Sequence, residues 1–271
     1  SHQTTRSGFV SWAISATQTA QIVGPSLGGL LYRAGPGAVY GAAAALFVLA
    51  GVCTATIRIA GALRDRAAVT LPPLFSGITF IAGTPILLGT LSLDLFAVLL
   101  GGATALLPIY AADILATGPW GLGLLRSAPA VGGLVMSFVR VRQPIERRVG
   151  PRLFGAVLAF GSATVVFGLS TSLPLSFAAL AVLGGADVVS MVIRSSLVQL
   201  RTPDAMRGRV SAVSSLFTGT SNQLGEFRAG LTAAYLGAVP AVLIGGLGSI
   251  LVAGLWMYLF PALRGIRTLD G

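Results

Sequence analysis

Charge is scarce in this sequence. Only 10% of its 271 residues are Asp, Glu, Lys or Arg, against roughly a quarter in a soluble domain. So little charge cannot cover a water-facing surface, and with 54% hydrophobic residues lipid is the expected solvent. Lysine is absent, so all 18 basic residues are arginines. His2 is the single histidine, beside the terminus, and Cys53 is the single cysteine. One cysteine permits no internal disulfide, and this pair of counts argues against a metal site built on His and Cys. Cys53 lies in an apolar block, where a buried inert thiol is expected. No short signal-peptide pattern is visible. No nucleotide-binding motif is present either, so ATP coupling within the chain is not expected, and no cofactor is implied.

What the chain has in abundance is apolar length. A membrane-spanning helix needs about 20 mostly apolar residues. Eight such blocks can be read, at 8–32, 36–57, 85–110, 121–139, 153–170, 174–193, 208–235 and 238–261. Between the second and third, Arg58, Arg64, Asp65 and Arg66 precede Pro72-Pro73 and a short apolar run at 74–83. That run is closed by Pro85 and reads as a short helix lying at the membrane surface.

The arginines orient the blocks. With the first segment cytoplasmic, Arg6, Arg58, Arg64, Arg66, Arg140, Arg142, Arg147, Arg148, Arg152, Arg194, Arg201, Arg207, Arg209, Arg264 and Arg267 all fall on the cytoplasmic side. The opposite connections are short, and only Arg33 lies beside them. The positive-inside rule then places both ends of this chain in the cytoplasm, in the plasma (inner) membrane. The net charge of +10 is thereby explained by topology, and no nucleic-acid partner is expected.

An internal echo adds organisation. Gly8-Phe9-Val10-Ser11 is matched by Gly208-Arg209-Val210-Ser211. Gly24-Pro25-Ser26-Leu27-Gly28-Gly29-Leu30 is matched by Gly225-Glu226-Phe227-Arg228-Ala229-Gly230-Leu231. The copies are the first and seventh blocks, so an even number of spans separates them and both cross in the same direction. A parallel repeat of two six-helix halves has that property. The chain would then be helices five to twelve of twelve, its first four helices missing. Residues 1–57 would close one half, 58–84 would be the cytoplasmic loop, and 85–271 the second half. The alternative is a complete eight-helix protein with a chance echo.

Gly24-Pro25-x-x-Gly28-Gly29 resembles the core of the antiporter motif of major facilitator drug/proton antiporters. The family motif carries two further glycines upstream, where this chain has Ala20 and Ser11, both small. Three later runs resemble the enterobactin-exporter-like and macrolide-efflux-like branch. They are Leu93-Asp94-Leu95-Phe96-Ala97-Val98, Gly123-Leu124-Leu125-Arg126-Ser127-Ala128-Pro129 and the stretch from Thr202-Pro203-Asp204 to Val210-Ser211. Ser221-Asn222-Gln223-Leu224-Gly225-Glu226-Phe227 continues the last of these. Glu146-Arg147-Arg148-Val149-Gly150-Pro151-Arg152 resembles a degenerate copy of the family's basic turn, with spacing off by one residue. The resemblance implies an all-α polytopic major facilitator fold. It also implies a monomeric exporter of a siderophore or lipophilic drug, working by alternating access and proton antiport.

Charges inside membrane blocks are costly and are functional candidates by default. Asp94, Arg126, Asp187, Glu226 and Arg228 qualify, beside the motif residues Gly24, Pro25, Gly28 and Gly29. The glycines are expected to let another backbone approach, and Pro25 to bend the axis. Depth at about 1.5 Å per residue puts Arg126 and Glu226 at comparable levels, so they are expected to pair. Asp94 has no cation near it in its own block and is the favoured proton carrier. Asp187 is expected to be tethered to Arg194, two turns on along the same face, with Arg194 snorkelling to the cytoplasmic surface. The carboxylates are scattered rather than clustered at one level, which argues against an enzyme. A non-transporting scaffold, or a membrane fragment that transports nothing, is the rival reading.

Overall fold

A computed structural model describes residues 24, 27, 28, 31, 32, 35–56, 71–142 and 148–268. Pro25, Gly29, most of the first apolar block, the arginines before Pro72 and Glu146-Arg147 lie outside the described residues. Among those described the chain is helical, with no strand. The long helices are α1 (Pro36–Ala55), α3 (Pro85–Gly101), α4 (Gly118–Arg142), α5 (Val149–Leu169), α6 (Leu173–Arg201), α7 (Asp204–Leu236) and α8 (Ala238–Leu259), with the short α2 (Leu71–Ala82) before α3.

Proline marks several starts. Pro36, Pro85 and Pro174 sit in the first turn of their helices, where a missing N–H costs nothing. α3 stops at Gly102, whose left-handed backbone (φ 51°) an L side chain resists. The chain continues through a 3-10 turn and a π-helical turn to Ile114, so the whole span runs Pro85–Ile114.

Among the described residues, six helices are long and apolar enough to cross a membrane: Pro36–Ala55, Pro85–Ile114, Gly118–Val139, Val149–Leu169, Leu173–Arg201 and Ala238–Leu259. The seventh block forms the 33-residue α7, and its length exceeds the bilayer. Asp204, Arg207, Arg209, Glu226 and Arg228 lower its hydropathy below that of the other spans.

The bundle is α3 to α8. α4 packs on α6, α5 on α6 and α8, and α3 on α7 and α8. Backbones touch at small residues. A Cβ on Gly132 would lie 1.7 Å from the Ala181 carbonyl oxygen, and one on Gly184 would lie 2.0 Å from that of Pro129. Polar anchors cross the same contacts. Tyr110 donates to the Gly168 carbonyl at 3.0 Å, Ser249 to Ala97 at 2.8 Å, and the Trp256 indole to Ser92 at 2.9 Å. The segment after α8 closes on the start of α5. Arg148 N–H donates to the Arg267 carbonyl at 2.6 Å, and Gly150 N–H to that of Ile266 at 3.1 Å.

One expectation changes, at Cys53. The short helix α2 packs on α7. Ile81 is buried, a Cβ on Gly77 would lie 3.1 Å from the Arg209 carbonyl of α7, and Arg209 donates to Ser76 at 3.3 Å. Cys53 is exposed, because α1 buries none of its residues against the chain. Helix α7 starts at Asp204 with Pro203 as its cap residue, and Asp204 pairs with Arg207 at 2.8 Å.

Candidate functional site

α3 and α6 carry the charges that meet. The Asp94 carboxylate of α3 is ion-paired with the Arg194 guanidinium of α6, both side chains only about a tenth exposed (9% and 11%). This corrects two expectations. Arg194 turns inward rather than snorkelling, and its partner is Asp94 rather than Asp187. Taking two charges out of water is costly, and mutual attraction offsets that cost only in close contact. Contact with α3 gives Arg194 a carboxylate at its own level, which its own helix does not.

Asp187 stays close to the pair. It lines a narrow crevice together with Asp94, Ala97, Ala156 and Ser190. Asp187, Ser190 and Arg194 follow one face of α6 at helical spacing. Two carboxylates and one guanidinium therefore share this region, one carboxylate bonded and the other exposed.

Arg194 also reaches a second space. A cleft of about 420 Å³ between α6 and α7 is lined by Arg194, Ser195, Gln199, Ser214, Thr218 and Asn222, with Ser211 and Ser215 beside them. Ser211, Ser214, Ser215, Thr218 and Asn222 recur at helical spacing and make a polar stripe on α7. That periodicity is visible in the sequence. The cleft is polar, hydroxyl-rich and carries one cation.

At the other end of the bundle lies a cavity of about 670 Å³. Gly24, Gly28, Tyr32 and Tyr40 face Pro108, Leu122 and Arg126 across it. Among the described residues Arg126 is its single charge, exposed to the space. No ion pair joins Arg126 to Glu226 among the described residues. Arg126 faces the cavity from α4, whereas Glu226 is exposed on α7, which packs on α3 and α8. Among the described residues, a Cβ on Gly24 or Gly28 would meet nothing within 4 Å.

Arg228 does a different job. Its Nε–H donates to the Leu99 carbonyl at 3.0 Å and its terminal nitrogen to Leu100. These are end-of-helix carbonyls of α3, left without partners where Gly102 breaks the helix. Arg228 thus closes the break instead of pairing with a carboxylate. Among the described residues no group of three His, Cys, Asp or Glu side chains could hold a metal ion.

Comparison with known proteins gives consistent matches. The sequence model of the Major Facilitator Superfamily matches residues 2–225. The multidrug efflux pump Tap of Mycolicibacterium fortuitum is 28% identical over 246 residues, covering 83% of this chain and 58% of that protein. The enterobactin exporter EntS of Citrobacter koseri is 29% identical over 148 residues, 54% of this chain and 35% of that protein. EntS of Shigella flexneri is 25% identical over 199 residues, 73% of this chain and 46% of that protein. The chain thus spans between about a third and three fifths of the length of these curated relatives. No solved structure matches it.

Proposed function

The chain belongs to the major facilitator superfamily, and from that premise we propose that it exports a small organic molecule by alternating access, driven by inward proton movement. The buried Asp94–Arg194 pair, with Asp187 on the same crevice, is the observation that carries this reading. Residues 1–57 would close one half of the transporter, 58–84 would link the halves, and 85–271 would form the other. Both ends of the chain would be cytoplasmic in the inner membrane, and the protein a monomer.

The chemistry follows from the pair. A proton on Asp94 removes its charge and releases the Arg194 guanidinium. Arg194 then turns its donors to the polar cleft, where the hydroxyls of Ser214 and Thr218 and the Asn222 amide offer further hydrogen bonds. A substrate with several oxygen acceptors fits there. Loss of the proton restores the ion pair, which competes with the substrate for Arg194. Asp187 supplies a second acceptor within the same crevice. The cavity of Gly24, Tyr40 and Arg126, at the opposite end, would be the exit. Its apolar lining suits a lipophilic molecule. The relatives' names, a multidrug pump and an enterobactin exporter, support a substrate among lipophilic drugs and siderophores.

The test is efflux of a fluorescent lipophilic dye from cells producing the protein, with and without a protonophore. Export that stops when the proton gradient collapses supports antiport. Export that continues unchanged rejects it.

A further inference from the structure

A groove of about 640 Å³ runs along the outside of the bundle between α4, α5 and α6. It shares Ala156 and Ala186 with the crevice of Asp94 and Asp187, and no lining residue with the cavity of Arg126 or the cleft of Arg194. Its walls include Val135 and Met136 of α4 and Val182 and Val189 of α6. Arg152, Gly155 and Ala159 contribute from α5 and lie on one face of that helix. Among the described residues, Arg152 is the one charged residue in the lining.

Charge and apolar surface are segregated along the groove. Arg152 stands in the first turn of α5, at the rim of a span, and is exposed. Its backbone N–H donates to the Arg148 carbonyl at 3.1 Å, while its guanidinium makes no ion pair or hydrogen bond to another described residue. Arg148, also exposed, stands one turn earlier. From Arg152 to Ala159 the face runs inward about 10 Å, at 1.5 Å per residue, with no further charge. The groove cannot narrow by sliding α4 toward α6, because their backbones already touch at Gly132 and Ala181. At Gly155 a Cβ would meet nothing within 4 Å, so the groove is open there.

We propose that this groove is a binding site for an anionic phospholipid. Its phosphate rests on Arg152, and one acyl chain lies along Gly155 and Ala159 toward Val182. A cation at headgroup level over an apolar trough is complementary to that molecule along its length. A zwitterionic lipid can lay its tail in the same trough but gains less at Arg152. One arginine near a bilayer surface favours an anionic lipid about fivefold.

Native mass spectrometry of the whole chain, delipidated in detergent and titrated with dioleoyl phosphatidylglycerol or dioleoyl phosphatidylcholine, tests this. The expected result is phosphatidylglycerol binding about fivefold tighter than phosphatidylcholine. Arg152→Gln, an exposed change, should erase that preference while leaving phosphatidylcholine binding as it was. Gly155→Leu, which fills the groove, should lose both lipids without lowering the delipidated protein's melting temperature. If Gly155→Leu does not fold, Arg152→Gln alone decides. Equal binding of the two lipids by the unaltered protein would overturn the proposal, as would an unchanged preference in Arg152→Gln.

Discussion

The two copies of the internal repeat meet the rest of the protein in opposite ways. Gly24 and Gly28, in the first copy, border a cavity, and no described residue stands within 4 Å of where a Cβ would be. Gly225, in the second, is pressed on α3, and a Cβ there would lie 2.7 Å from the Val98 carbonyl oxygen. The approach is mutual, since a Cβ on Gly102 would lie 2.5 Å from the Gly225 carbonyl. The same absence of side chains yields room in one copy and contact in the other. A glycine run in a membrane helix marks a bare face, and the neighbouring helix decides whether backbone or cavity adjoins it.

The contact copy also fixes the charges. Gly225 and Arg228 both hold α3, Gly225 by packing and Arg228 by closing its end, and α3 presents Asp94 to Arg194. The largest expected effect therefore belongs to that side of the molecule. Arg194→Ala leaves Asp94 as a buried carboxylate without a partner, at a cost of about 3–5 kcal/mol. Unfolding in sodium dodecyl sulfate should show the loss, and the double change Asp94→Asn with Arg194→Ala should recover most of it. A single variant as stable as the unaltered protein would mean that water solvates the pair.

Gly225→Ala should come next, at about 1–3 kcal/mol, because the added methyl meets backbone that cannot turn aside. Gly24→Ala and Gly28→Ala should stay within about 0.5 kcal/mol, the range of substitutions that touch nothing. Melting temperatures of the three variants side by side give the sharpest form of the contrast. Equal losses at Gly24 and Gly225 would break it. The smallest effect is a coupling that should not exist. A double-mutant cycle of Arg126→Gln and Glu226→Gln should give an interaction within about 0.3–0.5 kcal/mol, the additivity expected of separated sites. A larger value would restore the pair that the sequence suggested.

Much of the architecture was legible because its signals are local. Prolines at helix starts and apolar lengths near 20 residues gave the spans, and α7 was read as a block despite its five charges. Asp94 stood out for its depth in an apolar run. Its partner did not, because Arg194 is far off in sequence and the pairing depends on how α3 and α6 are rotated. The spacing of Asp187 and Arg194 was real, and they share a face, yet the closer carboxylate came from another helix. Arg228 was a candidate on burial alone, and its carbonyl partners arise only because Gly102 breaks α3. The polar stripe of Ser211 to Asn222 was readable from periodicity. It passed unread because Ser and Thr in membrane helices often bond their own backbone, as Ser221 does to the Thr218 carbonyl at 3.1 Å.

The central claim is that protonation of Asp94 governs Arg194, and through it the direction of transport. Dye accumulation in inside-out proteoliposomes, acidified within, tests it most directly on the double variant Asp94→Asn with Arg194→Gln. That variant keeps a neutral, hydrogen-bonding pair in place of the ionic one. The account predicts that it equilibrates the dye across the membrane but no longer concentrates it, whatever the imposed pH gradient. Concentration of the dye to the level reached by the unaltered protein would contradict the claim and place proton coupling elsewhere in the molecule.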